Sequence, residues 1–290
     1  MEVAYYPGCS LHSAAREYDM STRLVCRHLG ISLKEIKDWN CCGATAAHSL
    51  DHLLAVSLGA RNLALLDGMK MTRVTSPCAN CYSRLKAAAH ELQHDEILKT
   101  EVERILEAPV PCGVEVLSLL EMFVTQVGID TIAENVSKPL KGMKLAAYYG
   151  CLLTRPSRIS GFDDPEQPVS MDRLLEGLGA ETVDWSHKAE CCGAGFTAAE
   201  VGIVLDLGGQ VLEAARQAGA EALVVACPMC QLNLDTRQGA IEANRGTRYD
   251  LPVMYFTQLM GLAFGYSPRV LGLKRLLTSP FPLLKTKGLL

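Results

Sequence analysis

The chain has 290 residues, of which 49% are hydrophobic and 21% charged, with a formal net charge of −4. That composition is globular, excludes a disordered chain, and leaves no electrostatic footprint for nucleic acid. The length suits one large domain or two of about 145 residues, near the common domain size.

Along the chain, short apolar runs alternate with helical patterns. EVAYYPG (2–8) reads as a strand and STRLVCRHLG (21–30) as a helical stretch. LKEIKDW (33–39), MTRVTSP (71–77) and VEVLSLL (114–120) read as further strands. The order then begins again. KLAAYYG (144–150) is a strand, MDRLLEGLG (171–179) a helix ending in glycine, and AETVDWS (180–186) a strand. TAAEVGIVLDLGGQVLEAARQAG (197–219) is a long helix, weakened by internal glycines. AEALVVACP (220–228) is a continuous apolar run, as expected of a strand buried on both faces. QLNLDTRQGAIEAN (231–244) returns as helix, and LPVMYF (251–256) is the last strand. Strands separated by helices imply crossovers and a mainly parallel sheet. The expected fold is therefore α/β, with two duplicated domains related by a pseudo-twofold, each a small mainly parallel β-sheet flanked by helices. The boundaries are expected at 1–137 and 142–266, joined near ENVSKPLKG, with a basic, Leu-rich tail over 267–290. That tail has no acidic residue but keeps Arg269, Lys274, Arg275, Lys285 and Lys287. It reads as a solvated segment, with docking of a partner or of anionic lipid as the alternative.

No apolar run reaches the ~18–20 residues of a transmembrane helix, and MEVAYYPGCS lacks a signal peptide's basic and apolar regions. A cytoplasmic protein is expected, where structural disulfides are rare. Twelve cysteines then need another explanation, and ten of them sort into two sets of five. The first is Cys9, Cys41, Cys42, Cys78 and Cys81; the second is Cys151, Cys191, Cys192, Cys227 and Cys230. The intervals agree, with 31 and 39 residues before each vicinal pair and 35 and 34 after it. Neighbouring text repeats too, DWNCCGA against DWSHKAECCGA. This is an internal duplication. In each half the cysteines follow the carboxyl ends of three strands, where ligands of open α/β sheets collect. The remaining two, Cys26 and Cys112, read as ordinary small hydrophobes.

A structural zinc site takes four tetrahedral ligands, and each half here offers five, one pair of them adjacent. Adjacent cysteines suit different metals of one cluster better than a single ion, and thiolates favour iron–sulfur centres. Zinc, or a redox dithiol at the CxxC, stays open as the alternative. His187 and Lys188, close before Cys191, and His12 and His48, near Cys9 and the first CCG, are candidate proton donors. The histidines read first as surface residues or ones that support a ligand, and as proton donors second.

The doubled pattern Cys-x31-CCG…CxxC, with YYPGCS, CCGATAAHS, ARNLA and ACPMCQLNL around it, resembles the CCG-domain family, and the B-type chain of heterodisulfide reductase in particular. The likeness runs along essentially the whole chain, including the tail LGLKRLLTSPFPLL. It implies two non-cubane [4Fe–4S] clusters, each held by one set of five cysteines, with a small-molecule disulfide or related acceptor reduced between them. The chain has neither a ferredoxin-type cysteine run nor a GxGxxG fingerprint. It would thus need partners, which the resemblance gives as a ferredoxin-like iron–sulfur subunit of the C type and a flavoprotein subunit of the A type. Three other readings compete: a CCG electron-transfer subunit of lactate, glycolate or succinate oxidation, a non-catalytic relay, and a zinc-stabilised scaffold.

Overall fold

Val3, Ala4 and Tyr5 are fully buried in strand β1 (Glu2–Tyr5), because β1 sits inside its sheet with helices over it. It pairs in parallel with β2 (Ser32–Glu35) on one side and β3 (Arg73–Ser76) on the other, and β3 pairs with β4 (Glu115–Ser118). The computed structural model describes residues 1–44 and 47–290, so Thr45 and Ala46 of the CCGATAAHS stretch lie outside the described residues. Helix α1 (Arg16–His28) joins β1 to β2, α2 (His52–Gly68) joins β2 to β3, and α3 (Ala79–His94) with α4 (Glu96–Leu106) joins β3 to β4. The Asp51 carboxylate caps α2 by accepting from Leu54 N at 2.7 Å. Helices α2 and α3 come close because Gly59 has no side chain; a Cβ there would lie 2.9 Å from that of Ala88.

The second half repeats this order. Strands β5 (Lys144–Tyr148), β6 (Glu181–Thr182), β7 (Ala222–Val225) and β8 (Val253–Tyr255) form a second parallel sheet. The two strand orders are β2-β1-β3-β4 and β6-β5-β7-β8. In each, the chain leaves the first strand to one side and returns to the other. That makes the gap beyond the carboxyl ends of β1 and β3, and of β5 and β7, the topological switch point. Between these strands run α5 (Ser170–Gly177), α6 (Val201–Gln217) and α7 (Gln238–Arg245), and α8 (Phe256–Ala263) follows β8.

The halves exchange helices reciprocally. Helix α8 of the second half packs on α1 of the first, with Tyr18 and Tyr255 stacked at 4.0 Å. In return, α5 packs on the Ile129–Glu134 helix that follows β4, where Gly177 leaves room for Ile129. That reciprocity is what a pseudo-twofold requires.

Three elements depart from expectation. The strand expected over 180–186 pairs only at Glu181–Thr182, because the chain peels off the sheet edge; the Trp185 indole N–H takes over, donating to Ala147 O at 3.2 Å. The helix expected over 231–244 is broken into Pro228–Gln231, a π-turn at Leu232–Thr236, and α7. The widened turn lets the buried Asp235 carboxylate accept from the backbone N–H of Leu277 and Thr278, both at 2.8 Å. That bond belongs to the third departure. The tail is a packed strap rather than a solvated segment: Leu271, Leu273 and Leu284 are fully buried, and Lys287 pairs with Glu221 at 2.8 Å. Its leucines bury apolar area while Lys274, Arg275 and Lys285 stay exposed.

Candidate iron–sulfur site

The residues that close each switch point are the cysteines. Cys9 lies in the short helix Gly8–Leu11 directly after β1, and the Cys41–Cys42 pair follows β2. Cys78 takes the N-cap position of α3, with Cys81 in that helix's first turn. The Sγ atoms of Cys42 and Cys81 are 3.4 Å apart, with Cys9 near Cys41 and Cys78 near Cys81. The second half matches: Cys192 and Cys230 are 3.6 Å apart, with Cys151 near Cys191 and Cys227 near Cys230. Cys78 and Cys227 lie near enough to shift one another's thiols, so the two sets of five border one another where the halves join. Beside them Ser10 reaches Met229 Sδ at 4.0 Å, and the Tyr18 hydroxyl donates to Ala226 O at 3.4 Å.

Close sulfur packing explains two glycines. Gly8 and Gly150 both have φ of +68°, and an added Cβ would lie 2.8 Å from Cys81 Sγ and 3.1 Å from Cys230 Sγ. The glycine of the second CCG serves a different end. Gly193, at φ +78°, lies against α6, where a Cβ would be 3.0 Å from Val204 Cα, and its N–H donates to Cys191 Sγ at 3.3 Å.

Electrostatics describe what such a pocket needs. Contact with Cys42 and Cys78, reinforced by burial, pushes the Cys81 thiol up; Cys192 and Cys227 do the same to Cys230. Cys191 pushes Cys151 up, and Cys227 pushes Cys78 up. Their partners fall, Cys42 to about 7 through its Cys81 contact and Cys191 to about 6 through Cys151. Neighbouring thiols thus share protons, and five thiolates fit together only around positive charge. Among the described residues, no three His, Cys, Asp or Glu side chains are set to hold a single metal ion. Five neighbouring sulfurs in each half suit several bridged irons better than one tetrahedral zinc.

Two tyrosines that sequence reasoning missed complete each site. Tyr6 and Tyr148 stand at the same distance before the first cysteine of their sets. Tyr6 donates to Asn40 O at 2.7 Å, and Tyr148 donates to Glu190 O at 2.6 Å. Both acceptors are the residue preceding a vicinal cysteine pair. Each ring is buried against its four nearest cysteines, and burial first, then those thiols, drives both phenols upward. Trp39 and Trp185 pack on the two rings. The repeated YY and DW letters were the available signal; nothing in them indicated that one holds the loop carried by the other.

The titratable candidates are placed unevenly. His12 is half-exposed, 3.2 Å from Glu35 Oε1 and edge-on to Trp39. His48 is exposed on the short helix Ala47–Leu50. His187 shares a proton with Ser186 Oγ at 2.8 Å and lines a surface cleft with Gln210, Glu213 and Arg245. Lys188 is buried, its ammonium 2.8 Å from Asp172, while its carbonyl accepts from Tyr149 N and Gly150 N ahead of Cys151. Cys26 is a core residue, its thiol pushed up to about 12 by burial. Cys112 is exposed instead, in the loop before β4, with Lys99 Nζ at 3.2 Å.

A parallel-sheet duplication with a convergent five-cysteine set at each switch point defines a tandem cysteine-rich protein. The model of the CCG cysteine-rich domain matches residues 3–86 and again 145–235, and the chain belongs to that family, in the branch of the B-type chains of heterodisulfide reductase. It is 33% identical to the 8-methylmenaquinol:fumarate reductase membrane anchor subunit of Wolinella succinogenes, over 94% of this chain and 95% of that one. It is 31% identical to the B-type chain of the ferredoxin:CoB-CoM heterodisulfide reductase of Methanosarcina mazei, over 94% and 93%. The fold matches a crystal structure of a hypothetical Helicobacter pylori protein with a TM-score of 0.77 at 14% identity, covering 96% of this chain and 52% of that one. Among the described residues, no helix is long and apolar enough to cross a membrane.

Proposed function

We propose that this chain is the iron–sulfur subunit of a reductase complex in the cytoplasm, reducing a small-molecule disulfide or related acceptor. Cys9, Cys41, Cys42, Cys78 and Cys81 would hold one non-cubane [4Fe–4S] cluster, and Cys151, Cys191, Cys192, Cys227 and Cys230 the other. The observation that carries this is that the two cysteine sets border one another, with the Tyr18 hydroxyl of the first half donating to the carbonyl of Ala226, next to Cys227, at 3.4 Å, and Ser10, next to Cys9, reaching Met229 Sδ at 4.0 Å. Cleaving a disulfide takes two electrons, and two adjoining one-electron centres match that demand. When bound, such clusters supply single electrons and an iron that stabilises a leaving thiolate. The chain's own contribution is to hold ten sulfurs in place, to keep water from the CxxC side with Tyr6 and Tyr148, and to leave Cys9 and Cys41 open. Of the proton-donor candidates His12, His48, His187 and Lys188, His12 is the best placed, being exposed, three residues beyond Cys9 and backed by Glu35. Electrons would come from a ferredoxin-like iron–sulfur subunit, itself served by a flavoprotein subunit.

The fumarate reductase relative supports a second reading, a CCG subunit passing electrons between a quinol-linked enzyme and its partner. Anaerobic purification, iron counting and electron paramagnetic resonance test the shared premise. About eight irons per chain are expected, as two four-iron clusters require; stoichiometric zinc without iron would overturn it. Turnover of a disulfide with an artificial reductant then supports catalysis, and fully loaded protein without turnover supports the relay.

A further inference from the structure

The second half carries a short insertion beside its cysteines. In the first half Asn40 alone separates Trp39 from the vicinal pair; in the second, Ser186, His187, Lys188, Ala189 and Glu190 separate Trp185 from it. The added residues form a turn, and Lys188 is the charged side chain that the turn buries. Lys188 and Asp172, on α5, are each 6% exposed, with ammonium and carboxylate 2.8 Å apart. The other carboxylate oxygen accepts from the Tyr149 hydroxyl at 2.7 Å. That hydroxyl in turn accepts from Met171 N and Asp172 N, at 2.7 and 3.1 Å. A buried ammonium parted from its carboxylate is strongly unfavourable, so the pair commits the turn to one position.

The backbone of this turn faces the segment that carries Cys151. Three consecutive carbonyls accept from that segment. Lys188 O accepts from Tyr149 N and Gly150 N at 2.8 and 3.1 Å, Ala189 O from the Arg155 guanidinium at 3.1 Å, and Glu190 O from the Tyr148 hydroxyl at 2.6 Å. The first half cannot build the same joint. It lacks the turn, and Pro7, at the place of Tyr149, has neither an N–H nor a hydroxyl. The sites differ accordingly: Cys9 and Cys41 are exposed, whereas Cys151 and Cys191 are half-buried.

We propose that Lys188 is a positioning residue of the C-terminal centre. Its buried pair with Asp172 clamps the Cys151 segment to the Cys191 loop and holds that centre closed, while the N-terminal centre stays open to solutes. The proposal rests on the two-cluster reading above. The ammonium is committed to Asp172, so Lys188 acts through the backbone that it fixes. Opening the second site lifts the turn and breaks the ion pair and the carbonyl bonds together; opening the first breaks neither.

The test is anaerobic release of iron from the full iron-loaded chain to a soluble chelator, with electron paramagnetic resonance of the cluster that remains. Wild type should lose about four irons quickly and about four more at least about tenfold more slowly, as the loss of two backbone hydrogen bonds on opening implies. The K188M/D172N chain, which leaves no unpaired buried charge, should release all its iron at the fast rate. At full loading, the signal of the slowly released cluster should change shape in that chain while the other is unaltered. Y149F loses only the hydroxyl that orients Asp172; it should speed the slow phase by a smaller factor, and it tests the clamp where the double variant does not load. Thermal melting of each variant separates clamping from general stability. A single phase in wild type, an unmoved slow phase in the variants, or equal acceleration of both phases would overturn the proposal and leave the two-cluster reading standing. A wild-type chain that binds no iron would overturn both.

Discussion

Tyr148 is the one donor, among the described residues, to the carbonyl of Glu190, whereas the matching carbonyl of Asn40 accepts from both Tyr6 and the Asn62 amide, at 2.7 and 3.2 Å. The same letter in the two repeats therefore carries different weight. Replacing Tyr148 by Phe leaves a partly buried carbonyl unpaired, a cost of about 1–3 kcal/mol, while Tyr6→Phe leaves Asn62 in place and should cost about 1 kcal/mol or less. Anaerobic denaturation of the two variants measures the difference. Iron released on mild chelation should rise in Y148F, because the loop bearing Cys191 and Cys192 loses its tie. Equal stabilities would mean the hydroxyls do not hold the loops.

At the scale of elements, the π-turn at Leu232–Thr236 and the strap after α8 explain one another. Asp235 is almost wholly buried and accepts from Leu277 N, Thr278 N and the Gln231 amide, at 2.8–2.9 Å. Gln231 directly follows Cys230, so the strap is tied to the end of the second CxxC. Asp235→Ala orphans three donors and should destabilise the chain by about 3 kcal/mol or more. Faster hydrogen exchange over 276–290 would show the strap released, and unchanged exchange there would refute the tie. A second acid marks the other end of the strap. Glu17, on α1 beneath Gly272, is buried, and that burial pushes its carboxyl up against the pull of Arg275. A carboxyl raised in the folded state binds its proton more tightly there than in the unfolded chain. Its contribution to stability is full below the unfolded pKa and is lost as pH rises through the folded one. Glu17→Gln should therefore raise the melting temperature at neutral pH and flatten its fall between mildly acidic and neutral solution, as calorimetry across pH would record.

For the whole molecule, the consequence of duplication is two sites with independent ligand sets that share a border at Cys78 and Cys227. Cys192→Ser removes a ligand from one set only, and iron should fall from about eight to about four per chain. Full iron content in C192S would remove Cys192 from the ligand set. Loss of nearly all iron would show that the border couples assembly of the two centres.

How much of this was legible follows from the distance over which each feature is determined. Strand runs such as AEALVVACP, the glycine beside each first cysteine, and the doubled spacing of ten cysteines are local or repetitive. The sequence by itself therefore determined the α/β class, the duplication, and the convergence of cysteines at strand ends, since parallel crossovers carry every such end to one edge. Only the tertiary structure decided the rest: that Lys188 is held by Asp172, that Tyr6 and Tyr148 clamp the paired cysteines, that the tail is a strap, and that Cys78 borders Cys227. Each of those joins residues far apart in the chain, and no periodicity encodes which buried donor will find which acceptor once two sheets and their exchanged helices have packed.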